Sequence, residues 1–182
     1  MEINYLSTKS MVDSVAELYE SIYKVINFHC KLNKFAMSKM HSLGYNGFKR
    51  WHRYRSKQFF DLEICLCNEL YDKFRISLTH KDYELSYAPN SMEDHLKNWD
   101  KALLSSVEEL GSLNKEHYEL TGSRCKIIEC VMHKLIRDYE KVGRYLKRFN
   151  ESDWLTLDIH IVDDKIHEKY KAKEEKHEWY GK

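Results

Sequence analysis

Proline is almost absent from this chain: Pro89 stands alone, with only six glycines, among 182 residues. Both residue types end helices, proline by lacking an amide donor and clashing with the preceding turn, glycine through its backbone entropy. Their scarcity excludes a loop-rich chain and predicts long, uninterrupted helices. The five cysteines, Cys30, Cys65, Cys67, Cys125 and Cys130, form an odd and irregular set without a CxxC pair. On a helix Cys65 and Cys67 point about 200° apart, too far round to share a metal easily. They read as free thiols in a reducing cytosol. No apolar run approaches the roughly 18 residues of a membrane span, and the opening MEINYLSTK lacks the apolar core of a signal peptide. A cytoplasmic, soluble protein with no membrane partner is the expectation. Internal repeats, low-complexity linkers, nucleophile elbows, phosphate loops and zinc-finger spacings are missing too. The chain therefore reads as one domain, 1–182, with a C-terminal extension from about residue 151.

The most informative absence is of acid. Residues 21–60 contain no Asp or Glu but nine Lys and Arg: Lys24, Lys31, Lys34, Lys39, Lys49, Arg50, Arg53, Arg55 and Lys57. The whole chain carries a formal charge of only +1, so the other residues are net acidic. Such polarisation attracts a polyanion or an acidic protein face.

What is present is helix grammar. Val15, Tyr19, Ile22, Ile26, Ala36 and Met40 form a stripe spaced by three and four over residues 9–43. His29 and Asn33 fall on that stripe, as core polar residues or as ligands. Gly44 suits the left-handed end of this helix. A second helix over 46–78 carries Phe48, Trp51, Phe59, Leu62, Leu66, Leu70 and Phe74. The short gap makes the two an antiparallel pair. Ser91-Met92-Glu93-Asp94 resembles a capping box opening a third helix to about Leu120. Thr121-Gly122-Ser123 separates it from a fourth, which runs to about Phe149. Two stretches alternate as strands do: Tyr83, Leu85, Tyr87 near 83–87, and Leu155, Leu157, Ile159, Ile161 over 155–161. The second also fits a helix through Leu155, Ile159, Val162 and Ile166, which is the favoured reading. The fold class is all-α, an antiparallel bundle of four or five long helices, with a short strand left open at either stretch.

Two constellations carry possible chemistry. In the segment FKRWHRYRSK, Lys49, Arg50, Trp51, Arg53, Tyr54 and Lys57 interleave cations with aromatic rings. Cations neutralise phosphates while rings stack on bases. The plainer use is a solvated face pairing with Glu108, Glu109, Glu116 and Glu119. Further on, His160, Asp163, Asp164 and His167 stand at i, i+3, i+4 and i+7 if helical. Imidazole and carboxylate at that spacing bind zinc or iron, although one helix rarely completes a coordination shell.

The helix pairs, the crossover and GYNGFKRWHRY resemble the ferritin-like superfamily over residues 10–149. That family's iron chemistry needs a Glu on the first helix and Glu-x-x-His on the second. The nearest register offers Phe59 and Leu62 instead. The resemblance thus implies shape and not iron chemistry. Arg75 and His80 share the Arg-x4-His spacing of HEPN ribonucleases, but mid-chain rather than near the domain end. The reading is a non-catalytic binding or inhibitory protein with no cofactor. It would engage nucleic acid, or a nucleic-acid-handling protein, through the second helix. The alternative is a ferritin-like or other metal-binding bundle protein. Apolar surface in excess of what four helices bury predicts a homodimer crossed by the C-terminal segment.

Overall fold

The computed structural model describes the backbone of residues 3–78, 85, 87–150 and 156–178, and side chains within 13–78, 85, 87–148 and 158–173. Five helices follow in order: α1 (Ile3–Ser42), α2 (Asn46–Phe74), α3 (Met92–Thr121), α4 (Lys126–Asn150) and α5 (Thr156–Glu178). Their ends obey local chemistry. Gly44 takes φ 83° in the turn between α1 and α2, where a side chain would be strained. The Ser91 hydroxyl accepts the Asp94 amide at 3.1 Å, and Glu93 and Asp94 place negative charge on the first turn of α3. Gly122 closes α3 at φ 68°. Arg75 closes α2 in the same left-handed geometry, its amide bonded to the Tyr71 carbonyl.

α1 packs along α2 and α3 along α4, with α1 against α3 closing the bundle; α5 lies on α2. The stripe expected on α1 is the core stripe: Val15, Tyr19, Ile22, Ile26, Ala36 and Met40 are all buried. They meet Phe48, Trp51, Phe59, Leu66 and Leu70 of α2 and Leu96, Trp99, Leu103 and Leu110 of α3. Each such side chain contributes roughly 1.5–3 kcal/mol by leaving water.

No strand forms among the described residues. Thr156 to Ile161 is the opening of α5, not a strand. A lone strand leaves its amides and carbonyls unpaired, whereas a helix satisfies them internally. It also turns Ile159, Ile166 and Tyr170 inward together. Leu85 and Tyr87 sit in the α2–α3 connection without strand structure; residues 83, 84, 86 and 151–155 lie outside the described residues.

A helix cap joins α5 to the start of α2. The start of α2 has no side-chain cap of its own. Instead the Asp163 carboxylate of α5 accepts the Gly47 amide at 3.0 Å and the Phe48 amide at 2.8 Å. A carboxylate at a helix N-terminus satisfies orphan donors and meets the positive end of the dipole. A Cβ on Gly47 would run into the Asp163 carbonyl group and the His167 amide, so only glycine permits this approach.

Candidate polyanion-binding cleft

Pairings along α2 orient the two helices that flank it. Asp138 meets Arg55, Lys141 meets Trp51 and Tyr145 meets Phe48, so α4 runs antiparallel to α2. Asp163 meets Gly47 and Tyr170 meets Tyr54, so α5 runs parallel to it. α4 and α5 are thus antiparallel walls over a floor made by α2. Between them lies a cavity of about 490 Å³ lined by Tyr54, Arg55, Gln58, His133, Lys134, Arg137, Asp138, Glu140, Lys141, Arg144, Lys169, Tyr170 and Lys173. It continues into a second of about 270 Å³ lined by Lys141, Tyr145, Arg148, Val162, Lys165, Ile166 and Lys169. Lys141 and Lys169 belong to both, so the two form one cleft.

Among the described residues, nine Lys and Arg line this cleft, against Asp138 and Glu140. Asp138 is already committed: it is 2% exposed and bridges Arg55 at 2.5 Å. Burial raises its carboxyl, and the Arg55 guanidinium pulls it back. Arg55 is desolvated in turn, yet Asp138 holds it above its ordinary value. Among the described residues no carboxylate is ion-paired with Arg137, Arg144, Arg148, Lys165, Lys169 or Lys173.

Lys141 registers the crowding. Its ammonium lies 4.1 Å from the centre of the Trp51 ring, 5.5 Å from that of Tyr170 and 5.9 Å from that of Tyr145. Burial, reinforced by Lys169, Arg55 and Lys173, pushes its pKa down to about 8, with Asp138 opposing. Lys173, over the Tyr54 and Tyr170 rings at 4.9 and 5.1 Å, is lowered by burial and by Lys169, Arg55 and Arg137. Burial pushes the Tyr145 and Tyr170 phenols up to about 12. A cleft whose cations destabilise one another is poised for an anion that relieves them.

The basic face expected on α2 is divided. Trp51 is 1% exposed, so it belongs to the core and cannot stack on a base. Tyr54 lines the cleft, but Lys173 sits over its ring. Lys49 leans on the His41 ring at 3.3 Å, while Arg53 and Lys57 are exposed outside the cleft and Arg50 is half-buried. From the acid-free stretch, Arg55 alone among the cations lines the cleft. Glu119 bonds Lys115 of its own helix and does not serve α2. The cations of α4 and α5 were not singled out from the sequence. Their signal was KVGRYLKR with Lys165, Lys169 and Lys173 at i, i+4 and i+8, which reads equally well as a solvated helix face.

The proposed ligand set on α5 does not assemble. Asp163 caps α2, His160 is exposed and stacks on Tyr45 at 5.2 Å, Asp164 is exposed and His167 half-buried. Among the described residues no three His, Cys, Asp or Glu come together as a metal shell. Arg75 caps α2, and His80 lies outside the described residues.

At the bundle centre, Asn33, His52 and His95 are fully buried. Asn33 Nδ2 donates to the His29 carbonyl at 2.7 Å, so its Oδ1 accepts from His52 Nδ1 at 3.0 Å. His52 Nε2 then accepts from His95 Nε2 at 3.2 Å, and His95 Nδ1 accepts from the Tyr87 hydroxyl. Burial lowers His95 to about 3 and His52 well below its ordinary value, so both rings are neutral. A carboxylate-bridged di-iron centre needs glutamates here; an amide and two mutually bonded imidazoles do not fit one.

No protein-family model and no curated protein matches the chain. Among solved structures, it is similar to an open-pore ferritin from the hyperthermophilic archaeon Archaeoglobus fulgidus. That likeness has a TM-score of 0.64 at 9% identity, covering 87% of this chain and 96% of the other. The chain therefore shares the ferritin-like helical-bundle fold, and the likeness concerns the fold alone.

Proposed function

We propose that this is a binding protein whose ligand is nucleic acid, held in the cleft between α4 and α5 rather than on the face of α2. The observation that supports it most is the convergence, among the described residues, of nine cations around the shared Lys141 and Lys169, against the exposed Glu140 and a buried Asp138 already paired with Arg55. Lys and Arg clustered in a low-dielectric groove focus the field that a phosphate backbone meets, and binding releases its counterions. The basic face of Arg53 and Lys57 extends positive charge along α2 outside the groove. A role in blocking a nucleic-acid-processing complex in the cytoplasm would use the same surface. A two-fold dimer of about 44 kDa would cover Phe60, Ile64 and Tyr71, an exposed apolar stripe on α2. The test is titration of labelled DNA and RNA with the intact protein and with a Lys141→Met, Arg144→Ala, Lys169→Ala variant. Binding that weakens at least tenfold in the variant, with a shallower salt dependence, is expected. Full retention of affinity would move the site elsewhere, and capture of only acidic proteins would replace nucleic acid as the ligand.

A further inference from the structure

Because the walls are antiparallel, their cations face one another in a defined order. Arg148 and Lys165 line one end of the cleft, Lys141 and Lys169 its middle, and Arg137 and Lys173 the other end. These are three rungs. Neighbouring rungs are four residues apart on α5, and four or seven on α4, where Arg144 fills the longer step. Four residues of helix rise about 6 Å. An extended, unstacked single strand stretches its phosphates to roughly twice the 3.4 Å per-strand rise of B-DNA. One phosphate can therefore meet each of the evenly spaced Lys165, Lys169 and Lys173 of α5, while on α4 Arg144 lies within the step of about 10 Å from Lys141 to Arg148. A duplex meets a different geometry. Its paired strands form a cylinder about 20 Å across (the scale of a major groove plus its walls), which cannot descend between two adjacent helices onto α2.

The rings in the cleft decide which way a strand would face. Lys141 covers Trp51, Tyr145 and Tyr170, and Lys173 covers Tyr54 and Tyr170. Base stacking on the cleft tyrosines would displace these half-buried ammonium groups, whereas a phosphate beside them is attracted. Resting on the nucleic-acid reading above, we infer that the cleft takes a single strand backbone-first: three consecutive phosphates on the three rungs, bases turned outward, without sequence preference.

The experiment measures binding of hydroxyl-ended oligothymidylates of two to eight nucleotides, an abasic strand of eight, and a 20-base-pair duplex, each over a range of salt. Affinity is expected to climb to four nucleotides, which carry three internal phosphates, and then to level off. The abasic strand should bind within threefold of its thymidylate counterpart, and the duplex at least tenfold more weakly. The slope of log K against log salt should be about −2 for three phosphates at roughly −0.7 each, losing about 0.7 in Lys165→Ala or Lys173→Ala. A duplex that binds as tightly as the strand overturns the single-strand inference while leaving the nucleic-acid reading intact. Loss of binding on removing the bases overturns the inward backbone. Failure of every nucleic acid to bind removes the underlying reading itself.

Discussion

Nε2 of His52 and Nε2 of His95 lie 3.2 Å apart inside the bundle, one donating and one accepting. The direction follows from the Asn33 amide, whose nitrogen is taken by the His29 carbonyl and whose oxygen must therefore accept. Each ring is held in one tautomer, and neither can take a second proton without breaking the chain.

Acid should therefore unfold the protein early. His29 and His95 have folded pKa values lowered to about 3, and His52 lies well below its ordinary value, all through burial. Below the unfolded value near 6.5 the unfolded chain binds more protons, so stability falls as pH drops. By pH 5 His29 and His95 should each cost roughly 2 kcal/mol relative to neutral pH, and His52 acts in the same direction. Urea titrations from pH 7.5 to 5 should show the midpoint falling steadily. A flat midpoint would mean that the imidazoles are not buried neutral.

His29 itself should be improvable. It is fully buried and stacks on Phe59, yet neither ring nitrogen has a partner among the described residues. A buried unsatisfied polar group costs about 1–3 kcal/mol. His29→Leu should raise the melting temperature by several degrees. His52→Leu should lower it, because it orphans Asn33 and His95. Equal effects from the two would contradict this distinction.

Gly47→Ala should loosen α5 without disturbing the rest of the bundle. The added methyl meets the Asp163 backbone, a clash of the kind that costs about 1–3 kcal/mol. Asp163→Asn should weaken the same joint more mildly, by about 1 kcal/mol, through loss of a charged cap. Hydrogen exchange reads this directly: faster exchange along α5 and the first turn of α2, with α1 and α3 unchanged.

Anion binding should depend on pH around Lys141. At pH 7 its ammonium is charged, and above about 8 the folded protein loses that proton. Affinity for a nucleic acid should decline as pH rises from 7 to 9, and binding near pH 8.5 should take up protons, measurable by calorimetry in two buffers. Stability without ligand has the opposite sense. It should rise between pH 8 and the unfolded value near 10.4, because there the unfolded chain holds the extra proton. Lys141→Met should abolish both trends.

The helices were legible because they depend on local periodicity and on breakers. The stripe from Val15 to Met40, the Ser91 cap, Gly44 and Gly122 declare their roles within a few residues of themselves. The segment from Thr156 to Ile161 was ambiguous because alternating apolar residues satisfy both grammars. Its choice rests on α2, whose surface receives Ile166 and Tyr170. Trp51 shows the same limit. It stands both on the apolar stripe of the second helix and among the cations of FKRWHRYRSK, and packing in the bundle core decides for the stripe.

The sequence by itself determined an antiparallel helical bundle, the order and approximate ends of its first four helices, the core stripe of α1 and a polarised charge. Those are properties of residues a turn or two apart. Only the tertiary structure decided where the charge acts. Lys141 of α4 and Lys169 of α5 are 28 positions apart and line a single cleft because both helices lie against α2. Asp163, spaced like a metal ligand, became a helix cap because Gly47 leaves room for the backbone of α5. Spacing along a chain records which residues share a helix face. Which faces meet is set by packing between helices, and the field at a site is the sum over all of them.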